Sequence, residues 1–184
     1  MRQVKGTMLL MIIKSIKANY IKIGEYNGIL SDKAKEFLTH RILSTSWYPF
    51  EVYRELYDAL CLIEARNDPK ILEQWGIIES KRMFSTTYQS IAVKEDLQMA
   101  IEGYTRFQRR IFNFGDIIFE FISDNEVMFS YKDMPLDWEN FYYTAVGYLK
   151  GFLELCVDKK VDSSFLKKSW KGESSTEIKI SWSL

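Results

Sequence analysis

The stretch that decides the fold is Asp116–Trp182, which reads DIIFEFISDNEVMFSYKDMPLDWENFYYTAVGYLKGFLELCVDKKVDSSFLKKSWKGESSTEIKISW. It contains two runs of alternating apolar and polar residues, then a helix-like segment, then two more alternating runs. The predicted strands are Asp116–Phe121, Glu126–Lys132, Val161–Trp170 and Thr176–Trp182, and the predicted helix is Asp137–Cys156. A period of two is typical of strands with one face in water. The segment therefore predicts a four-stranded antiparallel sheet in ββαββ order.

Two glycines stand out on the helix inside this segment. Gly147 and Gly151 are four residues apart, so they share one face of the helix and permit close backbone approach there. We expect that face to pack against the chain's own sheet. The alternative is an interface between two copies of the chain.

The sequence before this segment is predicted to be helical, with five helices. The first covers Thr7–Ala18, and the second is capped by Ser31 and runs to about Leu43. The third starts near Ser46–Pro49, and the fourth starts at Asp68-Pro69 and extends through Ile78. The fifth lies within Glu95–Phe112. The stretch Tyr20–Asp32 contains Gly24 and Gly28 and is predicted to be irregular. The fifth helix carries an apolar stripe through Leu97, Ile101, Tyr104, Gln108 and Ile111, and Gln108 is the one residue that breaks it.

Length and composition predict an α+β protein in which a five-helix N-terminal portion packs on the C-terminal sheet. A chain of 184 residues is most simply one domain, 1–184, with a helical part over about 1–113 and a ββαββ part over about 114–184.

Lys+Arg and Asp+Glu both number 25, which argues against nucleic acid as a partner. The longest apolar run, Met8–Ile13, is far too short to span a membrane, and no signal-peptide pattern follows it. Cys61 and Cys156 show no paired spacing, so we expect reduced cysteines in a cytoplasmic protein.

Two segments carry a resemblance to a known superfamily. Ser46–Leu56 (SWYPFEVYREL) resembles the helix start of myxobacterial-type paralogues, and Tyr142–Trp182 resembles the glycine-containing helix and closing hairpin shared across the superfamily. This superfamily includes the haem-nitric-oxide/oxygen-binding (H-NOX) domains, 4-vinyl-reductase-like domains and Bet-type subunits of vesicle-tethering particles. The order of five helices followed by ββαββ is also similar to theirs. The resemblance implies a cavity enclosed by helices and sheet, which holds haem or a lipid-like group in some relatives.

The residues that bind haem in H-NOX domains are missing at the matching positions. H-NOX domains use a histidine on the helix before the sheet as the iron ligand, and a Tyr-x-Ser-x-Arg run near the second strand for the propionates. Here Glu95–Phe112 contains no histidine, and Phe129-Ser130-Tyr131-Lys132 contains no arginine. A b-type haem needs an axial ligand and groups that neutralise its carboxylates. We therefore expect no haem bound in the family manner and predict no cofactor.

The sequence also lacks recognisable catalytic or metal-binding patterns. No nucleophile elbow, phosphate loop, dinucleotide fingerprint or zinc-protease motif is present. His40 is the only histidine, which excludes multi-histidine metal sites. The carboxylates around the first hairpin are expected on its wet face, and the closing hairpin carries serines where some relatives have cysteines. We predict a protein that is not an enzyme and has no metal site.

Two functional hypotheses follow. In the first, the protein is a binding or sensory module for a small apolar ligand and signals through a separate protein; the candidate pocket residues are Trp47, Tyr53, Tyr57, Tyr104 and Phe107. In the second, side chains fill the cavity and the protein is a homodimeric assembly module, with Gly147 and Gly151 at the interface. Aromatic side chains that line a pocket and those that fill it occupy the same positions, so the sequence leaves both hypotheses open.

Overall fold

The computed structural model describes residues 1–183, which divide into two compact units. The first unit comprises Met1–Asp68 and Arg109–Phe114, and the second comprises Pro69–Gln108 and the chain from Gly115 onward. The units are interleaved along the chain, so neither coincides with the predicted helical part or the predicted ββαββ part. None of the helices among residues 1–183 combines the length and the apolar character needed to cross a bilayer.

The first unit is built from four helices and a small two-stranded sheet. The helices are α1 (Gly6–Ala18), α2 (Ile23–Ile29), α3 (Asp32–Thr39) and α4 (Phe50–Ala65), and the strands are β1 (Gln3–Lys5) and β2 (Trp47–Pro49). The two strands are antiparallel, with Val4 opposite Tyr48. This sheet was not predicted, because three residues are too few to show an alternating pattern. The helix expected to start within Ser46–Pro49 instead starts at Phe50, since those residues form β2.

A short segment from later in the chain completes the first unit. The backbone N–H of Gln3 donates to the Asn113 side-chain oxygen at 2.7 Å, and Val4 forms an antiparallel bridge with Phe112. The rings of Phe50 and Phe114 lie 4.7 Å apart in an edge-to-face arrangement. The first unit therefore includes Arg109–Phe114 as an integral part of its packing.

The prediction of five helices before the large sheet was wrong, because there are six α-helices. The additional one is α2, which lies in the stretch predicted to be irregular. Gly24 and Gly28 lower its intrinsic helix propensity. Tyr26 compensates through tertiary contacts: it is fully buried, and its hydroxyl donates to Glu64 on α4 at 2.9 Å.

The second unit contains the large sheet and the helices packed on it. Its elements are α5 (Pro69–Phe84), most of α6 (Leu97–Ile111), β3 (Asp116–Ser123), β4 (Glu126–Lys132), α7 (Glu139–Val157), β5 (Val161–Lys167) and β6 (Thr176–Trp182). The sheet is antiparallel throughout, with the spatial order β3-β4-β6-β5. The predicted ββαββ arrangement is confirmed. The predicted strand Val161–Trp170 ends earlier, at Lys167, because residues 169–171 form a turn of 3₁₀-helix.

One face of the sheet forms the core of the second unit. Phe119, Phe129 and Ile178 are paired across β3, β4 and β6, and Phe129 and Ile178 are fully buried. Tyr131 on the same face contacts Phe141 and Tyr142 of α7, with ring centres 6.0 and 5.7 Å apart. The opposite face carries ion pairs such as Lys179–Glu126 at 3.0 Å. This agrees with the predicted alternation of apolar and wet faces.

The glycine face of α7 packs against α5 and not against the sheet. A Cβ atom on Gly147 would collide with the backbone carbonyl of Glu73, and one on Gly151 would lie 2.7 Å from the carbonyl oxygen of Ile77. Gly76 of α5 likewise faces the α7 backbone. The expected packing partner was therefore wrong, because a second helix can approach glycine more closely than a sheet of large side chains can. With α5 in this position, Gly147 and Gly151 are contacts within the chain and leave no room for a second copy at that face.

Polar contacts reinforce the seam between α5 and α7. The buried Ser80 hydroxyl donates to the Tyr148 carbonyl at 2.7 Å. Lys150 pairs with Glu73 at 2.7 Å, and Lys81 pairs with Glu154. We call the contact between Glu73–Lys81 and Thr144–Glu154 the glycine seam.

Candidate functional site

The five predicted pocket residues fall into two groups, one in each unit. Trp47, Tyr53 and Tyr57 belong to the first unit, whereas Tyr104 and Phe107 belong to the second. Four of the five are buried, and Trp47 is partly exposed.

In the first unit, Tyr53 and Tyr57 pack together on α4. Their rings stack with centres 6.1 Å apart, and Tyr53 also meets Phe112 edge-on at 5.8 Å. Burial raises the pKa of the Tyr53 hydroxyl, so it is neutral at physiological pH. Trp47 lies on β2, where the ammonium of Lys5 sits 4.1 Å from its ring centre. This cation–π contact explains how a half-exposed tryptophan is held in place.

In the second unit, Tyr104 and Phe107 meet at Phe84. The Phe84 ring lies 6.0 Å from Tyr104 and 5.7 Å from Phe107, and Tyr104 also lies 5.0 Å from Phe152 of α7. The two predicted residues therefore share one aromatic cluster built from α5, α6 and α7. Their rings act as core side chains in this cluster.

Two polar groups within this apolar unit lack a protein partner. The Tyr131 hydroxyl on β4 and the Gln108 Nε2 atom on α6 are both buried, and neither has a hydrogen-bond partner. After the larger effect of burial, the Tyr104 hydroxyl is the group that contributes most to the raised pKa of Tyr131. Buried polar groups in native proteins are nearly always paired, so each exception requires an explanation.

Tyr131 was not predicted as a site residue, although the sequence carried one signal of a polar group in this core. Gln108 interrupts an otherwise apolar helical stripe, and it lies one turn after Tyr104 on the same face. A polar residue at a core-facing position indicates either a buried partner or a functional contact. Tyr131 gave no such signal, because a tyrosine on the buried face of a strand is ordinary.

A third unpartnered atom is the indole nitrogen of Trp170, in the turn between β5 and β6. Its ring stacks on Tyr142 at 5.3 Å and meets Phe165 edge-on at 5.1 Å. The Tyr142 hydroxyl next to it is satisfied, since it donates to the Pro135 carbonyl at 3.1 Å. Trp170 is therefore held by rings at the end of the hairpin, and the Tyr142 ring links it to Tyr131.

The residues that could ligate a haem iron or another metal do not form a site. His40 ends α3 at an exposed position, where its Nδ1 lies 3.0 Å from the carbonyl oxygen of Glu36. Burial raises the pKa of the Cys61 and Cys156 thiols to about 12, so neither supplies a thiolate at neutral pH. Among the residues that the structure describes, no three side chains of histidine, cysteine, aspartate or glutamate come together in a way that could bind a metal.

Comparison with known proteins identifies the fold. No family model matches the chain, and no curated protein matches its sequence. Among solved structures, an H-NOX protein from S. oneidensis in its Fe(II)NO state superposes with a TM-score of 0.68 at 12% identity, covering 98% of this chain and 99% of that one. The unliganded Fe(II) H-NOX protein from K. algicida gives 0.66 at 12% identity, covering 98% and 97%. A mutant of T. tengcongensis H-NOX gives 0.64 at 12% identity, covering 98% of both chains. This chain therefore has an H-NOX-like α+β fold.

Proposed function

We propose that this protein is a non-enzymatic small-molecule-binding or sensory module that does not bind haem in the H-NOX manner. The observation that carries the proposal is the position of the unpartnered polar groups. Gln108 lies on the helix before the sheet and Tyr131 on the second strand of the sheet. In the H-NOX domains that the chain resembles, these two elements carry the iron ligand and the propionate contacts. This chain has neutral polar groups there in place of ligating or charged ones.

The donor set on these elements argues against haem. Helix α6 has no histidine, and its core-facing residues include Ala100, Ile101, Tyr104 and Phe107. A Tyr-x-Ser-x-Arg run that began at Tyr131 would require serine at position 133 and arginine at 135, where the chain has Asp133 and Pro135. An aspartate would repel a propionate instead of neutralising it. We therefore propose that the chain keeps the H-NOX-like fold without binding haem in the family manner.

Several features support a role without catalysis in a reducing compartment. The single histidine lies exposed at the end of α3, and both thiols are protonated at neutral pH, so neither cysteine provides an activated nucleophile. Both cysteines are free and buried. We propose that the protein acts in the cytoplasm, where binding of a small apolar ligand is signalled to a separate protein partner. We also propose that Ser46–Leu56 is related to the corresponding helix start of the myxobacterial-type paralogues.

Native mass spectrometry combined with an absorption spectrum tests the proposal. Protein purified without added ligand should carry a small-molecule mass above the 21.8 kDa chain and should show no Soret band, even after incubation with haemin. The S. oneidensis H-NOX protein serves as the positive control for haem uptake. A histidine-type Soret band in this protein would contradict the proposal. The proposal would also be contradicted if the protein neither retained a small molecule through purification nor bound one that was added afterwards.

The alternative is a homodimeric assembly module, which one observation favours. The edge strand β3 exposes apolar side chains at Ile118, Phe121 and Ile122. Exposed apolar edge strands are sites where another chain can add a strand. Light scattering of the protein and of Ile118→Lys tests this alternative: a dimer that the substitution converts to a monomer would support it, and a monomer at all concentrations would oppose it.

A further inference from the structure

We infer that three aromatic rings at the end of the closing hairpin bind the alkylated ammonium group of a small organic cation, in the place that the Lys168 ammonium occupies. The rings belong to Tyr143 of α7, Phe165 of β5 and Trp170 in the turn between β5 and β6. We call these three side chains the aromatic corner. The inference goes beyond the proposed function, because it concerns a cation whereas that function concerns an apolar ligand.

The three rings lie in the second unit and contact one another mainly edge to face. The Phe165 and Trp170 rings lie 5.1 Å apart and nearly perpendicular, at 86°. The Tyr143 ring lies 5.5 Å from Phe165 and 5.6 Å from Trp170. All three side chains are half-buried, so solvent reaches the aromatic corner. The face of an aromatic ring carries negative partial charge and attracts cations.

A cation of the chain itself already lies on two of these rings. The Lys168 Nζ atom lies over the Phe165 ring, 5.3 Å from its centre, and over the Trp170 ring, 5.9 Å from its centre. In the part of the chain that the structure describes, no carboxylate pairs with this ammonium. The neighbouring Lys167 instead pairs with Glu177 at 2.7 Å. The aromatic corner is therefore what holds the Lys168 ammonium.

The distances from Lys168 leave room for a larger cation. In the first unit, the Lys5 ammonium approaches the Trp47 ring to 4.1 Å from its centre. Both Lys168 distances are clearly longer, so a primary ammonium in the aromatic corner does not reach close contact with either ring. Methyl groups enlarge an ammonium and weaken its hydration, and aromatic sites recognise such groups. The ligand class that fits is therefore an alkylated ammonium.

The charges around the aromatic corner favour a cation over an anion. Burial raises the pKa of the Tyr143 hydroxyl, and the Glu139 carboxylate raises it further through its charge and a hydrogen bond. The Glu173 carboxylate accepts a hydrogen bond from the backbone N–H of Lys168. Two carboxylates thus border the aromatic corner, and they would repel a bound anion.

Two matched probes test the inference on the full-length protein: choline and the dimethylbutanol in which a carbon atom replaces the choline nitrogen. The probes have the same shape, and only choline is charged. Titrations are followed by NMR through the indole N–H resonance of Trp170, which is assigned with Trp170→Phe. Choline should shift this resonance saturably and should bind about tenfold more tightly than the alcohol, because only choline gains the attraction of the ring faces.

A pair of lysine variants assigns the binding to the aromatic corner. Lys168→Met removes the competing ammonium and should tighten choline binding about threefold, the fold-change that corresponds to an exposed cation–π contact. Lys167→Met is the matched control, because it removes the same charge from the adjacent residue, whose ammonium pairs with Glu177. It should leave the affinity as in the wild type. Phe165→Leu should weaken choline binding about threefold, since one of the two ring faces is lost.

Four outcomes would overturn the inference. The first is that choline causes no saturable shift in the wild type or in Lys168→Met, and the second is that the alcohol binds as tightly as choline. The third is that the two lysine variants change the affinity equally, because the effect would then be one of net charge. The fourth is that the protein binds phosphatidylcholine vesicles but not free choline, which would assign the site to a membrane surface. If Phe165→Leu fails to fold, the lysine pair still decides.

These outcomes are separate from those that decide the proposed function. A Soret band, or the lack of any bound small molecule in native mass spectrometry of the wild type without choline, would contradict that function and leave the aromatic corner as a cation site.

Discussion

At the scale of single residues, glycines of this protein play opposite roles that depend on their surroundings. Gly147 lies against the Glu73 carbonyl in the glycine seam, whereas a Cβ on Gly28 of α2 would meet no atom within 4 Å. Both lie within helices and have ordinary helical backbone. The same substitution therefore has opposite expected effects at the two positions.

We expect Gly147→Ala to lower the free energy of unfolding by about 3 kcal/mol, because the added methyl group must push α5 away from α7. We expect Gly28→Ala to raise it by about 0.5 kcal/mol, because alanine has the higher helix propensity and the site is open. Urea denaturation of both variants measures the difference. Similar effects at the two positions would mean that the seam is not packed as described.

At the scale of elements, the ends of helices are fixed by particular side chains. The Ser31 hydroxyl accepts a hydrogen bond from the Ala34 N–H at 3.2 Å and donates to Glu55 of α4 at 2.9 Å. Ser31 thus caps α3 and ties it to α4. This cap was predicted from the sequence, since serine before a helical stripe is a recognisable start signal.

Replacement of this cap should cost stability. We expect Ser31→Ala to lower the free energy of unfolding by about 1 kcal/mol, because the α3 N–H group loses its acceptor. Ser15→Ala is the control: the Ser15 hydroxyl donates to the Met11 carbonyl within α1 and is exposed, so its loss should change stability by less than about 0.5 kcal/mol. Chemical denaturation followed by circular dichroism provides both values, and equal losses would contradict the capping role.

The elements also show which parts of the fold the sequence could predict. The large sheet and α7 were predicted because each has a long, regular pattern, such as the alternation from Thr176 to Trp182. Helix α2 was missed because its stability comes from buried Tyr26 and not from its own sequence. The partner of Gly147 was predicted incorrectly, since a glycine face shows that something approaches closely but not which element it is. Within the candidate site, Gln108 was visible as an interruption of a stripe, whereas Tyr131 required the three-dimensional structure.

At the scale of the whole molecule, buried thiol and phenol groups should make the free energy of unfolding fall at alkaline pH. Burial raises the pKa of Cys61 and Cys156 from 9.0 to about 12, and it raises the pKa of the Tyr104 and Tyr131 hydroxyls. Above pH 9 an unfolded thiol loses its proton while a folded one keeps it. The native state then binds more protons than the unfolded state, so stability falls as pH rises.

We expect the free energy of unfolding to be level between pH 7 and 8 with respect to these groups and to fall between pH 9 and 12. Each buried thiol should contribute a loss of up to about 1.4 kcal/mol per pH unit in that range, and the tyrosines should add to it from about pH 10. Urea midpoints measured at half-unit steps from pH 7 to 11 provide the slope. The Cys156→Ala variant should show a shallower slope, and a stability that stays level to pH 11 would contradict the burial of these groups.

The interleaving of the two units affects how the chain can fold during its synthesis. The first unit uses Met1–Asp68 together with Arg109–Phe114, and the 40 residues of Pro69–Gln108, which belong to the second unit, come between them. A nascent chain that has emerged from the ribosome only as far as Asp68 therefore lacks Phe112, Asn113 and Phe114, which pack on β1 and α4. Its partly formed first unit keeps apolar surface exposed until residues 112–114 have also emerged from the ribosome. Chaperones that bind nascent chains are therefore most relevant during this interval.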